Sequence, residues 1–352
     1  MPDPTAPVVA KPSRRRRLAI AAGLVVGLAV PTAWQTVPRP SQLSHEVAPN
    51  NGDPLFITWT LAWQGHALAH RPQDLFAGNI FYPRRDAVAW SDSLLVAVPV
   101  FGALEGIGSL GGRGAGNGIL AYNLLTLLAF VGVGLATYLL ATEVVGDRRA
   151  AFVAATVFSL SMARSVSVGH TQLAGFLFVP LAMVALLRFL RERRWTAAVA
   201  FGAAMAATWM MTAYYAVLLV LAVVPFVIVW MAQRRMRVGP RFWRGMAVAG
   251  AVALVLAGPT LLPYLRLQRA GLFTRSAADQ KGVSLADFGR LPPSLLYRSL
   301  AGVGRVTRYD RGGLYPGLVL SSLVLLAAVW AVLDRRRGRR AARPDGPGPG
   351  WP

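Results

Sequence analysis

The chain has 352 residues, 55% of them hydrophobic and only 15% charged, with no cysteine and a formal net charge of +22. A soluble domain of this size carries about 25% charged residues, and the lack of Cys excludes disulfides, thiolate metal sites and cysteine nucleophiles. The positive charge does not point to nucleic acid, because the Arg residues stand in short blocks between long apolar runs, where they set membrane orientation.

Residues 1–17 form a tail rich in Pro and Arg, ending in four consecutive Arg at 14–17, and are expected to be disordered and cytoplasmic. The apolar run 18–37 follows. A basic block before an apolar run also describes a signal peptide. Here the run continues through Pro31, Thr32 and Trp34, so it reads as a retained first span leading outward.

Residues 38–117 are then a first outer loop, and loops of this length usually carry function. Within Asn50-Asn51-Gly52-Asp53-Pro54, Gly52 permits a sharp approach and Pro54 suits the first turn of a helix. Leu55, Trp59, Ala62, Trp63 and His66 recur at helical spacing, with aromatic rings suited to a membrane interface. Asp53 therefore stands at a helix start near the membrane surface, where a helix cap and a catalytic carboxylate are both open readings. His66 and His70 have metal-ligand spacing but lack a third ligand, and read as interfacial side chains. Asp74, Asp86 and Asp92 follow. Asp92, in Ser91-Asp92-Ser93, is placed to cap the next helix and is also a candidate substrate contact. Phe81-Tyr82-Pro83 is expected to pack the loop against the membrane. The apolar stretch 93–108 is short and holds Pro99 and Glu105; if it crossed, the next three Arg blocks would fall outside. It reads as an interfacial or re-entrant helix, with a ninth span as the alternative.

Residues 118–142 return to Asp147-Arg148-Arg149, with Tyr122 and Asn123 near the outer end as candidate substrate contacts. Residues 150–164 lead out to Gly169-His170-Thr171-Gln172, polar side chains between two apolar runs. Thr171 there fits a cap, while His170 and Gln172 suit a substrate hydroxyl or phosphate. Residues 171–190 return to Arg191-Glu192-Arg193-Arg194. The run 196–232 exceeds one crossing of a roughly 30 Å hydrocarbon core, so it divides into spans 195–212 and 213–232, returning to Arg234-Arg235. Residues 245–263 lead out again. The second outer loop, 264–313, carries nine basic residues against three acidic ones. Arg266, Arg269 and Arg275 lead this set, and both anionic lipid headgroups and a clamp for a phosphate group fit it. Residues 314–333 return to the last Arg block, and 334–352 form a disordered cytoplasmic tail.

The expectation is an all-α, polytopic integral membrane protein, with one membrane domain over 18–333, about eight transmembrane helices and an interfacial or re-entrant helix in the first outer loop. The middle of every span lacks Asp, Glu, Lys and Arg, which argues against an ion-coupled pump and suits an enzyme at the outer water–lipid boundary.

Several short motifs occur in a particular order: Gly52-Asp53-Pro54 with Trp59 and Trp63, Phe81-Tyr82-Pro83, Ser91-Asp92, Ala121-Tyr122-Asn123, Gly146-Asp147-Arg148-Arg149, Gly169-His170-Thr171-Gln172 and Leu314-Tyr315-Pro316-Gly317. In that order, over 18–333, the chain resembles the GT-C superfamily of membrane glycosyltransferases, most closely the bacterial YfhO-like proteins. The resemblance implies a bacterial cytoplasmic-membrane enzyme that moves a sugar from a polyprenyl-phosphate donor to an acceptor on the outer face. It implies that Asp53 occupies the acidic position of the first outer loop, as general base or orienting group, and that basic residues hold the departing lipid phosphate. No cofactor is certain from it, and a divalent metal is compatible. Relatives of this type continue with further spans past the position of residue 333, so a short form or a partial molecule is expected. A lipid-linked-sugar transporter and a non-catalytic partner in cell-envelope assembly are the alternatives.

Overall fold

The computed structural model describes residues 40–47, 52–109, 116–159, 169–233, 239–272 and 321–330, with isolated positions at 15, 19, 22, 23, 26, 27 and 333. Most of the expected first span, the loop 273–313 and both tails lie outside the described residues. Within the described residues every regular element is helical.

Helix α1 runs Asp53–His70 and buries the stripe Ile57, Leu61, Gln64 and Ala67. A loop with short 3₁₀ turns at Pro72–Asp74, Ala87–Trp90 and Leu95–Ala97 leads to α2, Val98–Ser109. At 1.5 Å per residue α2 is about 18 Å long, short of a bilayer core. Helix α3, Gly118–Val145, starts under an Asn117 side chain that accepts the Leu120 N–H at 2.8 Å and stops at Gly146, left-handed at φ 76°. Helix α4, Arg148–Ser159, begins at Asp147, whose carboxylate accepts the N–H groups of Arg149 and Ala150.

The expected span 171–190 is broken into α5, Thr171–Ala174, and α6, Phe178–Glu192. The interruption sits at Gly175, where a Cβ would meet Met211 and the Thr171 carbonyl at 2.8 Å each, so the chain turns where α7 presses on it. Helices α7, Trp195–Met211, and α8, Ala213–Gln233, divide the long apolar run at Thr212, as its length requires. Helix α9 runs Pro240–Arg269. It crosses α7 with backbone against backbone at Gly202, where any Cβ would strike the Ala249 carbonyl. A separate unit includes the apolar helix α10, Ser321–Trp330.

Four helical segments are long and apolar enough to cross a membrane: Gly118–Val145, Thr171–Glu192, Ala213–Gln233 and Pro240–Arg269. Helix α8 displays Val217, Leu221, Val224 and Ile228 along one face, each more than half exposed. Burying one such side chain is worth about 1.5–3 kcal/mol against leaving it in water, so hydrocarbon is the solvent of this face. The described residues are those of an all-helical protein whose apolar helices suit a membrane.

Side-chain contacts relate the ends of α3, α6, α7, α8 and α9. At one end Glu143 of α3 binds Arg188 and Arg191 of α6, Arg191 lies over Trp230 of α8, and Arg193 lies between Phe189 and Phe242 of α9. At the other end Tyr122 of α3 meets Gly169, Ser93 meets Met210 of α7, Asp92 meets Ala213 of α8, and Tyr264 of α9 meets Ser91. Successive helices therefore alternate between a basic end and a polar end, in the order expected from the Arg blocks.

Candidate functional site

The polar end gathers most of the residues singled out in the sequence. Gly52 is the cap position of α1, and Asp53 is the first helical residue, so its side chain is directed elsewhere than a cap. Asp53 Oδ2 lies 2.8 Å from Nε2 of His170, the residue preceding α5. Both side chains are open to the surroundings, at 63% and 41% exposure respectively. An anion at a helix start is also favoured by the helix dipole.

The strand of chain bearing His170 is gripped from two sides. Tyr122 of α3 donates to the Gly169 carbonyl at 3.3 Å, and Tyr215 of α8 donates to the Leu173 carbonyl at 3.2 Å. Thr171, expected as a cap, shares a 2.6 Å hydrogen bond with Thr126 of α3. Asn123 is 2% exposed and donates both amide hydrogens, to the carbonyls of Leu43 and Glu46. Asn117 adds a bond to the Ser44 carbonyl. Asn123 thus holds residues 43–46, which precede Asp53 in the chain, and its donors are fully used.

Asp92 does cap a helix, though not the one that follows it in sequence. It accepts the Ala213 N–H at 3.1 Å and so caps α8 from 121 residues away. Burial pushes its carboxyl above the usual aspartate value; Thr212, Ala213, Gln172 and the charge of His170 act in the opposite direction. The Thr212 hydroxyl is near enough to help but has no hydrogen bond of ordinary geometry, and burial remains the larger effect. Gln172 is buried beside Asp92, with its Oε1 unpaired.

The Arg residues stand apart. Arg266, in the last turn of α9, forms a two-pronged pair with Asp86 at 2.9 and 2.6 Å, so its charge is already met. The pair borders a cavity of about 870 Å³ between residues 72–86 and α9, lined also by Asp74, Arg85 and Phe76. Arg269 is exposed at the end of α9, and Arg275 lies outside the described residues. Trp59 and Trp63, expected at the membrane interface, pack with Phe76, Val88 and Tyr264. Phe81 and Tyr82 do stand outward, at 60% and 97% exposure. The His66 and His70 rings lie 4.8 Å apart, and among the described residues no three His, Asp or Glu side chains converge as a metal site needs.

Sequence reasoning missed Tyr215 and Tyr264. The signal for both was a tyrosine at the polar end of an apolar helix, where its hydroxyl must find a partner.

A polytopic helical membrane protein with a carboxylate–imidazole pair at one end is the class so defined. By sequence the chain belongs to the DUF6311 family, a domain of unknown function, whose model matches residues 73–347. Asp92, His170 and Gln172 fall within that match, and Asp53 precedes it. Neither a curated protein nor a solved structure matches the chain.

Proposed function

We propose that this protein transfers a glycosyl group from a polyprenyl-phosphate-linked sugar to an acceptor at the outer face of the bacterial cytoplasmic membrane, as a GT-C type enzyme. The observation that carries the reading is the Asp53–His170 contact at 2.8 Å, in an open position at the end of the bundle opposite Arg188 and Arg191. A proton-accepting pair at the membrane boundary is what an acceptor hydroxyl needs in order to attack a sugar carbon. In this reading the basic end faces the cytoplasm by the positive-inside rule, the N-terminus lies inside, and about eight spans complete the domain. An apolar cleft of about 470 Å³ between α7, α8 and α9 supports a lipid-borne donor. Its wall includes Trp209, whose indole bonds Thr260 and packs on Tyr264, next to the Asp92 loop. An isoprenoid chain lying there would bring its phosphate toward the polar end.

The test is transfer of radiolabelled sugar from a panel of polyprenyl-phosphate donors, in membranes with and without the protein. Label appearing in a new product only when the protein is present supports the reading. Donor moved between leaflets without a new product would instead make the protein a transporter.

A further inference from the structure

We propose that the proton is taken by Nδ1 of His170, and that Asp53 acts as the positioning residue that prepares the ring. This inference rests on the transferase reading above and assigns roles within the same site. An ionised carboxylate can only accept a hydrogen bond, so the 2.8 Å contact places the imidazole hydrogen on Nε2. The neutral ring then carries its lone pair on Nδ1, which has no hydrogen-bond partner among the described residues. The His170 side chain is 41% exposed, so the ring is open to an incoming hydroxyl.

Three features hold the ring for this task. Tyr122 and Tyr215 fix the backbone on either side of His170. Asp53 fixes the ring edge from the first turn of α1. Asp92, buried nearby, anchors the start of α8, the helix that carries Tyr215. Of the two groups in the pair, imidazole is the one whose proton affinity suits general-base work near neutral pH.

The step balances as follows. The acceptor hydroxyl gives its proton to His170 Nδ1 while its oxygen bonds to the anomeric carbon of the donor sugar. The bond from that carbon to the lipid phosphate oxygen breaks, and its electron pair leaves with the phosphate. The imidazolium, paired with Asp53, then returns its proton to the phosphate or to water.

The test compares His170→Ala with Asp53→Asn in full-length protein. His170→Ala should lower kcat by about 10²–10⁴-fold, leave the donor KM within about twofold, and recover part of the rate when imidazole is added. Asp53→Asn should lose rate without rescue by imidazole, because its ring is present but unprepared. A His170→Ala protein that transfers at close to the native rate overturns the assignment, as does a loss that imidazole leaves untouched. A second readout is independent of sugar transfer: carbethoxylation by diethylpyrocarbonate, followed site by site by mass spectrometry. In native protein Asp53 increases the reactivity of Nδ1, so Asp53→Asn should slow modification of His170 several-fold relative to the exposed His66. Equal rates in both proteins would overturn the assignment even if no donor is found. A donor panel that fails while the modification rates differ would instead remove the transferase reading and leave the pair.

Discussion

The two ends of the bundle solve opposite problems with the same kinds of side chain. At the basic end Glu143 is shared by Arg188 and Arg191, Asp147 closes the start of α4, and Arg193 rests against two aromatic rings. Charges there are neutralised or stacked, and the contacts join helix to helix. At the polar end the buried groups Asn123, Thr171 and Asp92 are committed to backbone or to one another, yet Asp53 and His170 stay open. Asn123, Thr171 and Asp92, buried and hydrogen-bonded, stand beside a pair that is exposed and only half used. That contrast, more than any one residue, separates a scaffold end from a working end.

The largest effect on stability is expected at Asn123. Replacing it with Ala removes two hydrogen bonds and strands two carbonyls, a loss of about 2–3 kcal/mol. Thermal unfolding in detergent should fall accordingly, and transfer should fall with it, because the segment leading to Asp53 is released. A variant as stable as the native protein would show that this segment is held by other means.

Asp92 sharpens the picture through pH. Burial holds its carboxyl above the usual aspartate range, so its favourable contribution is complete below that range and is lost as pH rises through the raised value. Asp92→Asn keeps an acceptor for Ala213 and removes the buried charge. It should be at least as stable as native protein near neutrality and should lack the native gain on acidification. Asp92→Ala removes the cap as well and should lose about 0.5–2 kcal/mol. Parallel stability–pH curves for the native and Asn proteins would contradict this account.

The smallest effect is expected at the basic end. Arg188 and Arg191 are 51% and 37% exposed, and solvent screens their pairing. Glu143→Gln should therefore cost only about 0.5–1 kcal/mol and leave transfer unchanged. A large loss of activity would place function at the wrong end of the bundle.

Much of this was legible in the sequence, and the limits have physical causes. Helices α3, α8 and α9 announce themselves as long apolar runs, and the Arg blocks give the alternation of ends. Asp53 and His170 were each conspicuous as polar groups beside apolar runs, but their contact was not, because local pattern carries no information on long-range pairing. For the same reason Asp92 was expected to cap the helix after it and instead caps α8, and the pairing of Arg266 with Asp86 was not legible. The break at Gly175 was hidden because hydropathy continues through it, while the close approach of Met211 to that glycine comes from another helix.

The central claim is most directly tested by one transfer measurement on three proteins: native, Asp53→Asn and Asp86→Asn, with folding and donor binding verified for each. The account predicts that Asp53→Asn binds donor but transfers about 10²–10⁴-fold more slowly, while Asp86→Asn, which disturbs only the Arg266 pair, stays within about threefold of native. Normal transfer by Asp53→Asn would contradict it.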